Sequence, residues 1–262
     1  MLANSTRRAS RGSLYAILAL VALPLAISGC KGGSKAKKGN DPGATKVAKK
    51  PAIATLAPRM QGEVAKKMRH VVSSPEKIAE GKRLYAQCGA CHGDNGVGRL
   101  GIGPRLNSDT FLSAASDELL IRTITHGRTG TTMIAWRSLL TQSQIHSIVA
   151  YIRSLAPKKV VAKLNEKPLK GDLKRGAHVF RSICAGCHGR AGGGYQETAN
   201  GTGIGRRAFL NSVSNGFLRY IIRAGKSQTR MRPFAGKNKV AVANLNAQQI
   251  DDVIVYMRTR AW

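Results

Sequence analysis

Cys88-Gly89-Ala90-Cys91-His92 recurs 96 positions later as Cys184-Ala185-Gly186-Cys187-His188. Two thiols three residues apart on a helical turn reach the two vinyl groups of one porphyrin, and the histidine that follows then lies under the iron as proximal ligand. The pattern reads as covalent haem attachment at Cys88, Cys91, Cys184 and Cys187, with His92 and His188 as axial ligands. A cysteine-rich zinc site or a thioredoxin-like thiol pair draws on the same residue types. The second copy, and a matched methionine downstream of each, favour haem.

Those methionines are the next signal outward. The first half runs Ile124-Thr125-His126-Gly127-Arg128-Thr129-Gly130-Thr131-Thr132-Met133-Ile134-Ala135-Trp136, and the second Ile222-Arg223-Ala224-Gly225-Lys226-Ser227-Gln228-Thr229-Arg230-Met231-Arg232-Pro233-Phe234. Glycine, methionine and aromatic repeat at one offset of 98. Met usually fills gaps in a core, but a methionine six residues after glycine in both halves predicts Met133 and Met231 as the sixth iron ligands. His126 is the rival in the first half. Its counterpart is Ala224, which offers no ligand, and the asymmetry favours Met133.

Around these sites the pattern is helical. Ser74 and Pro75 form an N-cap and first helical residue, and Gly81 and Tyr85 lie four apart on the way to Cys88. Gly176 and Phe180 repeat that step before Cys184. Apolar residues at helical spacing close each half, through Ile148-Val149-Tyr151-Ile152 and through Val253-Ile254-Tyr256-Met257.

At these residues each half resembles a class I cytochrome c domain, over about 75–155 and 172–262. The resemblance implies an all-α fold of two tandem domains, each wrapped around one covalently attached haem c. It implies a close crossing of first and last helices, through Gly81, Tyr85, Ile148 and Tyr151 and through Gly176, Phe180, Val253 and Tyr256. It implies a distal loop for Met133 and Met231, and a proline carbonyl behind the proximal histidine. Gly103-Pro104 supplies that carbonyl in the first half. The second half carries Gly203-Ile204-Gly205-Arg206-Arg207 at the corresponding place, without proline. The family often has Met-Pro, whereas Ile134 follows Met133 and Pro233 comes one place late.

The 262 residues hold five cysteines, four of them in the motifs, so no thiol is left for a disulfide, a zinc cluster or a nucleophile. The fifth ends an export signal. Arg7, Arg8 and Arg11 precede an apolar run, Leu14–Ile27, too short to cross a bilayer. Ile27-Ser28-Gly29-Cys30 resembles a bacterial lipobox, which implies cleavage before Cys30 and acylation of it. Residues 31–73 read as a Lys/Gly/Pro-rich disordered tether, reaching roughly 35 Å on average. Domain 1 then spans 74–156, a linker 157–171 and domain 2 172–262.

The net charge of +30 is uneven: residues 71–155 carry 9 basic and 6 acidic side chains, residues 172–262 carry 15 and 4. A basic second unit attracts anionic partners, and nothing resembles a groove-reading or base-stacking motif that would make nucleic acid the partner. Arg206, Arg207, Arg230 and Arg232 are the candidate docking patch for an acidic redox protein. The expectation is an exported, lipid-anchored dihaem cytochrome c at the periplasmic side or cell surface. It relays electrons within a respiratory chain and needs no small-molecule substrate. The alternatives are an electron-acceptor subunit of a periplasmic oxidoreductase complex and a dihaem peroxidase-like enzyme, the latter requiring a distal site that opens.

Overall fold

The computed structural model describes residues 68–156, 160–236 and 242–262. The leader, Cys30 and most of the tether lie outside them. Among the described residues the regular structure is helical throughout. The first half comprises α1 (Pro75–His92), α2 (Asp109–Ala114), α3 (Asp117–His126) and α4 (Gln142–Ser154). In the second half α5 (Leu173–Val179) continues through a π turn (Phe180–Cys184) into α6 (Ala185–His188). It is followed by α7 (Arg207–Leu210), α8 (Asn215–Ala224) and α9 (Ala247–Thr259).

Side-chain caps fix where the helices begin. Ser74 accepts the Lys77 N–H with Pro75 directly behind it, as the sequence predicts. Thr141 with Gln144, and Asn246 with Gln249, close reciprocal capping boxes at the starts of α4 and α9.

In each half the first and last helices cross at a glycine. A Cβ on Gly81 would lie 1.9 Å from the Ser147 carbonyl oxygen, and one on Gly176 would lie 2.0 Å from that of Asp252. The expected aromatic partners flank the crossings: Tyr85 and Tyr151 stand 5.1 Å apart at their ring centres, Phe180 and Tyr256 5.2 Å. Ile148 and Val253 are fully buried beside them.

The copies differ by one residue on the way into the motif. Gly81 to Gly176 and Tyr85 to Phe180 are offsets of 95, whereas Cys88 to Cys184 is 96. The π turn at Phe180–Cys184 absorbs the extra residue without breaking the helix. It leaves the crossing and the cysteines each in their proper place.

An arginine on the last helix locks the corner between the two middle helices. Arg153 donates from Nε to Asp117 and from both terminal nitrogens to the carbonyls of Leu112 and Ala115, each at 2.7 Å. Arg258 repeats the fork on Asn215 (2.6 Å), Leu210 (2.8 Å) and Val213 (2.9 Å). These carbonyls lie at or just beyond a helix C-terminus, where intrahelical donors run out, and in the first half Arg69 donates to the same two, Leu112 and Ala115. Asp117 also receives the backbone N–H groups of His70 (2.7 Å) and Val71 (2.9 Å), tying down the incoming chain.

The stretch expected as a linker is bound along its described part, residues 160–171. The Ala162 N–H bonds to the Ser113 carbonyl, and the Glu166 carboxylate accepts from the Ser214 hydroxyl and the Gly216 N–H. Arg219 gathers the carbonyls of Asn165, Lys167 and Pro168 while pairing with Asp251. Its composition suggests a loose connector; its polar groups make it a strap.

The halves pack together through α2, α3 and α8. Ala114, Ala115 and Leu119 belong to the core that Phe217 and Leu218 build, and Phe111 meets Phe217 edge-on at 6.3 Å. Two cations are exchanged across this seam. The Arg128 guanidinium lies 4.9 Å from the centre of the Phe209 ring, and the Lys226 ammonium 4.7 Å from that of Phe111. Lys226 follows Arg128 by 98 positions and Phe209 follows Phe111 by the same 98, so each half lends its cation to the other half's ring.

Candidate haem-binding sites

The last turn of α1 carries Cys88, Cys91 and His92, and Gly93 stops the helix at φ 69°. In the second half the π turn delivers Cys184, α6 presents Cys187 and His188, and Gly189 stops it at φ 82°. All four thiols are free. Burial, reinforced by the neighbouring Cys91, pushes the Cys88 thiol up to about 11; burial with Cys187 beside it takes Cys184 to about 12. These are neutral thiols, unlike the thiolates of redox or zinc cysteines. Among the described residues no three His, Cys, Asp or Glu side chains are grouped to hold a metal ion by themselves. The set fits an iron that arrives within a porphyrin.

Both imidazoles are oriented by a main-chain oxygen. His92 Nδ1 lies 2.9 Å from the Pro104 carbonyl, and His188 Nδ1 lies 2.8 Å from that of Thr202. This leaves Nε2 for a metal. Burial lowers the pKa of each histidine against the opposing pull of that carbonyl, and Lys226 and Arg128 add to the effect at His92. Both rings are therefore held neutral, the form that coordinates iron.

Thr202 corrects the expected register. The counterpart of Gly103-Pro104 is Gly201-Thr202, not the stretch beginning at Gly203. A Cβ on Gly103 would lie 2.3 Å from the Cys91 carbonyl oxygen, and one on Gly201 2.5 Å from that of Cys187. The glycine lets each loop lie flush against the end of the motif helix, and the next residue then presents its carbonyl. The offset of 98 that aligns the methionines also aligns Pro104 with Thr202, so the signal was in the sequence.

The methionine loops match bond for bond. The carbonyl of Met133 accepts from the Arg128 N–H at 2.9 Å, and that of Met231 from the Lys226 N–H at 2.7 Å. Thr131 and Thr229 each accept the methionine N–H at 3.1 Å and donate back to the carbonyl of Arg128 or Lys226. Gly127 and Gly225 hold φ of 64° and 70°, where a Cβ would lie 2.5 Å from the methionine carbonyl. Met133 and Met231 are half-buried. His126 is exposed and faces Arg137 at 3.1 Å, so it ends α3 as a surface residue.

The arginine patch divides. Arg207, Arg230 and Arg232 are exposed, and Arg230 bonds Asn200 at 2.8 Å. Arg206 is only 6% exposed: its guanidinium packs 4.2 Å from the Trp262 ring and bonds Gln196. It is a structural residue and leaves the docking set, because the C-terminal tryptophan covers it. A second cationic group, invisible in the sequence, sits at the seam beside His92. There burial, Arg128 and Arg105 push the Lys226 ammonium down to about 7, and burial takes Arg128 to about 10.

Residues 76–152 match the family described as cytochrome c oxidase, cbb3-type, subunit III, and residues 173–261 match the cytochrome c family. The chain is 38% identical over 142 residues to the cbb3-type cytochrome c oxidase subunit FixP of Azorhizobium caulinodans, covering 50% of this chain and 46% of that protein. It is 39% identical over 75 residues to cytochrome c55X of Stutzerimonas stutzeri, covering 29% of this chain and 64% of that one. It thus spans about half the length of the FixP relative it matches. Among solved structures, the reducing HAO-like protein complex of Kuenenia stuttgartiensis aligns at 21% identity with a TM-score of 0.44, over 70% of this chain and 96% of that one.

Proposed function

Because the chain belongs to the c-type cytochromes and carries two haem c groups, one in each half, we propose that it relays single electrons between redox partners of an extracytoplasmic respiratory chain. The observation that carries this reading is the twofold match of imidazole, backing carbonyl and methionine loop. Cys88 and Cys91 would anchor the first haem, and Cys184 and Cys187 the second. His92 and Met133, and His188 and Met231, would occupy both axial positions, leaving neither iron open to a substrate. The haem supplies a one-electron couple, which methionine ligation sets high relative to two histidines.

The residues around each site have limited tasks. Pro104 and Thr202 hold the imidazole angle, the glycine-hinged loops hold the sulfur, and the helix crossing keeps water from one face. Arg207, Arg230 and Arg232 attract an acidic partner to the second half; such charge acts mainly on encounter rate. Acylated Cys30 would hold the protein to a membrane, and no helix among the described residues is long and apolar enough to cross one.

A second reading has the chain working as a bound subunit of an oxidase or other oxidoreductase complex, since FixP is named as an oxidase subunit. Co-purification from native membranes separates the two.

The test is spectroscopic. A pyridine haemochrome assay should return two haems per chain, and the oxidised protein should show the near-infrared charge-transfer band of methionine–histidine ligation. Carbon monoxide should leave the reduced spectrum unchanged. Two bis-histidine signals would sink the assignment of Met133 and Met231, and a CO complex in the unmodified protein would sink the relay reading.

A further inference from the structure

Three cations meet at the seam, and none of them is in a salt bridge among the described residues. Lys226 belongs by sequence to the second half and by contact to the first: its ammonium donates to the Arg105 carbonyl and lies over Phe111. Arg128 and Arg105 are the charged groups that act on it, and Lys226 and Arg128 in turn both act on the His92 imidazole. The ion pairs among the described residues join Arg153 to Asp117, Arg175 to Asp252 and Arg219 to Asp251, and none includes these three. Nε of Arg105 is buried without a hydrogen-bond partner. Like charges withdrawn together from water repel and lose solvation, and only an anion offsets both costs.

A haem attached at Cys88 and Cys91 brings such an anion, because it carries two propionate carboxylates. We infer that Lys226 reaches across the seam to neutralise the propionates of the first half's haem, with Arg105 and Arg128 completing the set. The inference rests on that haem being seated on His92 as proposed above. The first half is then an incomplete haem site by itself, since one of its counter-charges is supplied by the other copy of the module.

The test uses full-length protein with both haems counted first, so that a failure of haem attachment is seen separately. The two one-electron potentials are measured by spectroelectrochemistry, and each wave is assigned through Met133→His and Met231→His. Removing a positive charge disfavours the reduced iron. Lys226→Met should lower the reduction equilibrium constant of the first-half haem about tenfold, ~59 mV for one electron, with a smaller change in the second. Lys226→Arg should restore it. Lys226→Gln keeps a donor for the Arg105 carbonyl and should behave like the methionine variant, which covers misfolding of the latter. A drop confined to the second-half haem, an equal drop with Lys226→Arg, or two bound haems with no drop in either overturns the inference.

Discussion

The Nδ1 atom of His188 lies 2.8 Å from the carbonyl oxygen of Thr202, in the place that Pro104 takes behind His92. The acceptor is main chain in both halves, so the side chain that carries it is interchangeable while the preceding glycine is not. Thr202→Ala should leave the potential and spectrum of the second haem nearly unchanged. Gly201→Ala would put a Cβ 2.5 Å from the Cys187 carbonyl and 2.9 Å from the His188 ring. It should shift that potential and cost about 1–3 kcal/mol of stability. Spectroelectrochemistry and thermal unfolding read the two effects.

The helix crossings are equally intolerant. Gly81→Ala and Gly176→Ala each drive a methyl group into a carbonyl of the facing helix, and the helices must part to admit it. Each substitution should cost about 3 kcal/mol, at the upper end of ordinary overpacking. Denaturant unfolding monitored by the Soret band would record it; a loss under about 0.5 kcal/mol would contradict the close approach.

Acid should loosen the first half through Asp117. Burial raises the pKa of its carboxyl, but the N–H groups of Val71 and His70 and the Arg153 guanidinium outweigh that and hold it below the ordinary value. A folded pKa below the unfolded one contributes stability in full above about pH 4, and the contribution is lost as pH falls through the folded value. Asp117→Asn should flatten this acid limb while keeping an acceptor for Arg153, as Asn215 does for Arg258. Asp117→Leu strands the arginine and should cost about 3–5 kcal/mol. Unfolding free energy measured across acid pH distinguishes the three proteins.

The arginines of the second half should separate into two behaviours. Arg230→Gln with Arg232→Gln should slow association with an acidic redox partner and flatten its salt dependence, leaving stability within about 0.5 kcal/mol. Arg206→Gln should do the reverse. It removes a guanidinium stacked on Trp262 and should cost about 1–2 kcal/mol, with little effect on the salt slope. Stopped-flow rates at several ionic strengths, beside thermal unfolding, decide.

What the sequence made legible is whatever repeats at fixed spacing. The cysteine–histidine strings, the methionines and the crossing glycines with Tyr85, Tyr151, Phe180 and Tyr256 were all readable because local chemistry and helical period fix them. Arg206 was not, since nothing nearby in the chain announces that Trp262, 56 positions on, will fold back over it. Thr202 escaped because the expectation followed a residue type, proline, where the structure uses a backbone atom. The π turn was concealed in a difference between offsets of 95 and 96. The strap at residues 160–171 has the composition of a free linker, and only the fold supplies the Ser214 and Gly216 groups that Glu166 binds.

Arg128 on Phe209 and Lys226 on Phe111 are one contact formed twice, each the image of the other when the copies are swapped. Two separate molecules of a single-haem ancestor, meeting about a twofold axis, would form that same pair. Joined by one backbone, the mates no longer need to find each other by diffusion, and their pairing persists at dilutions that would part unlinked proteins. The chain is in this sense a self-contained dimer, with stoichiometry and choice of mate settled at translation.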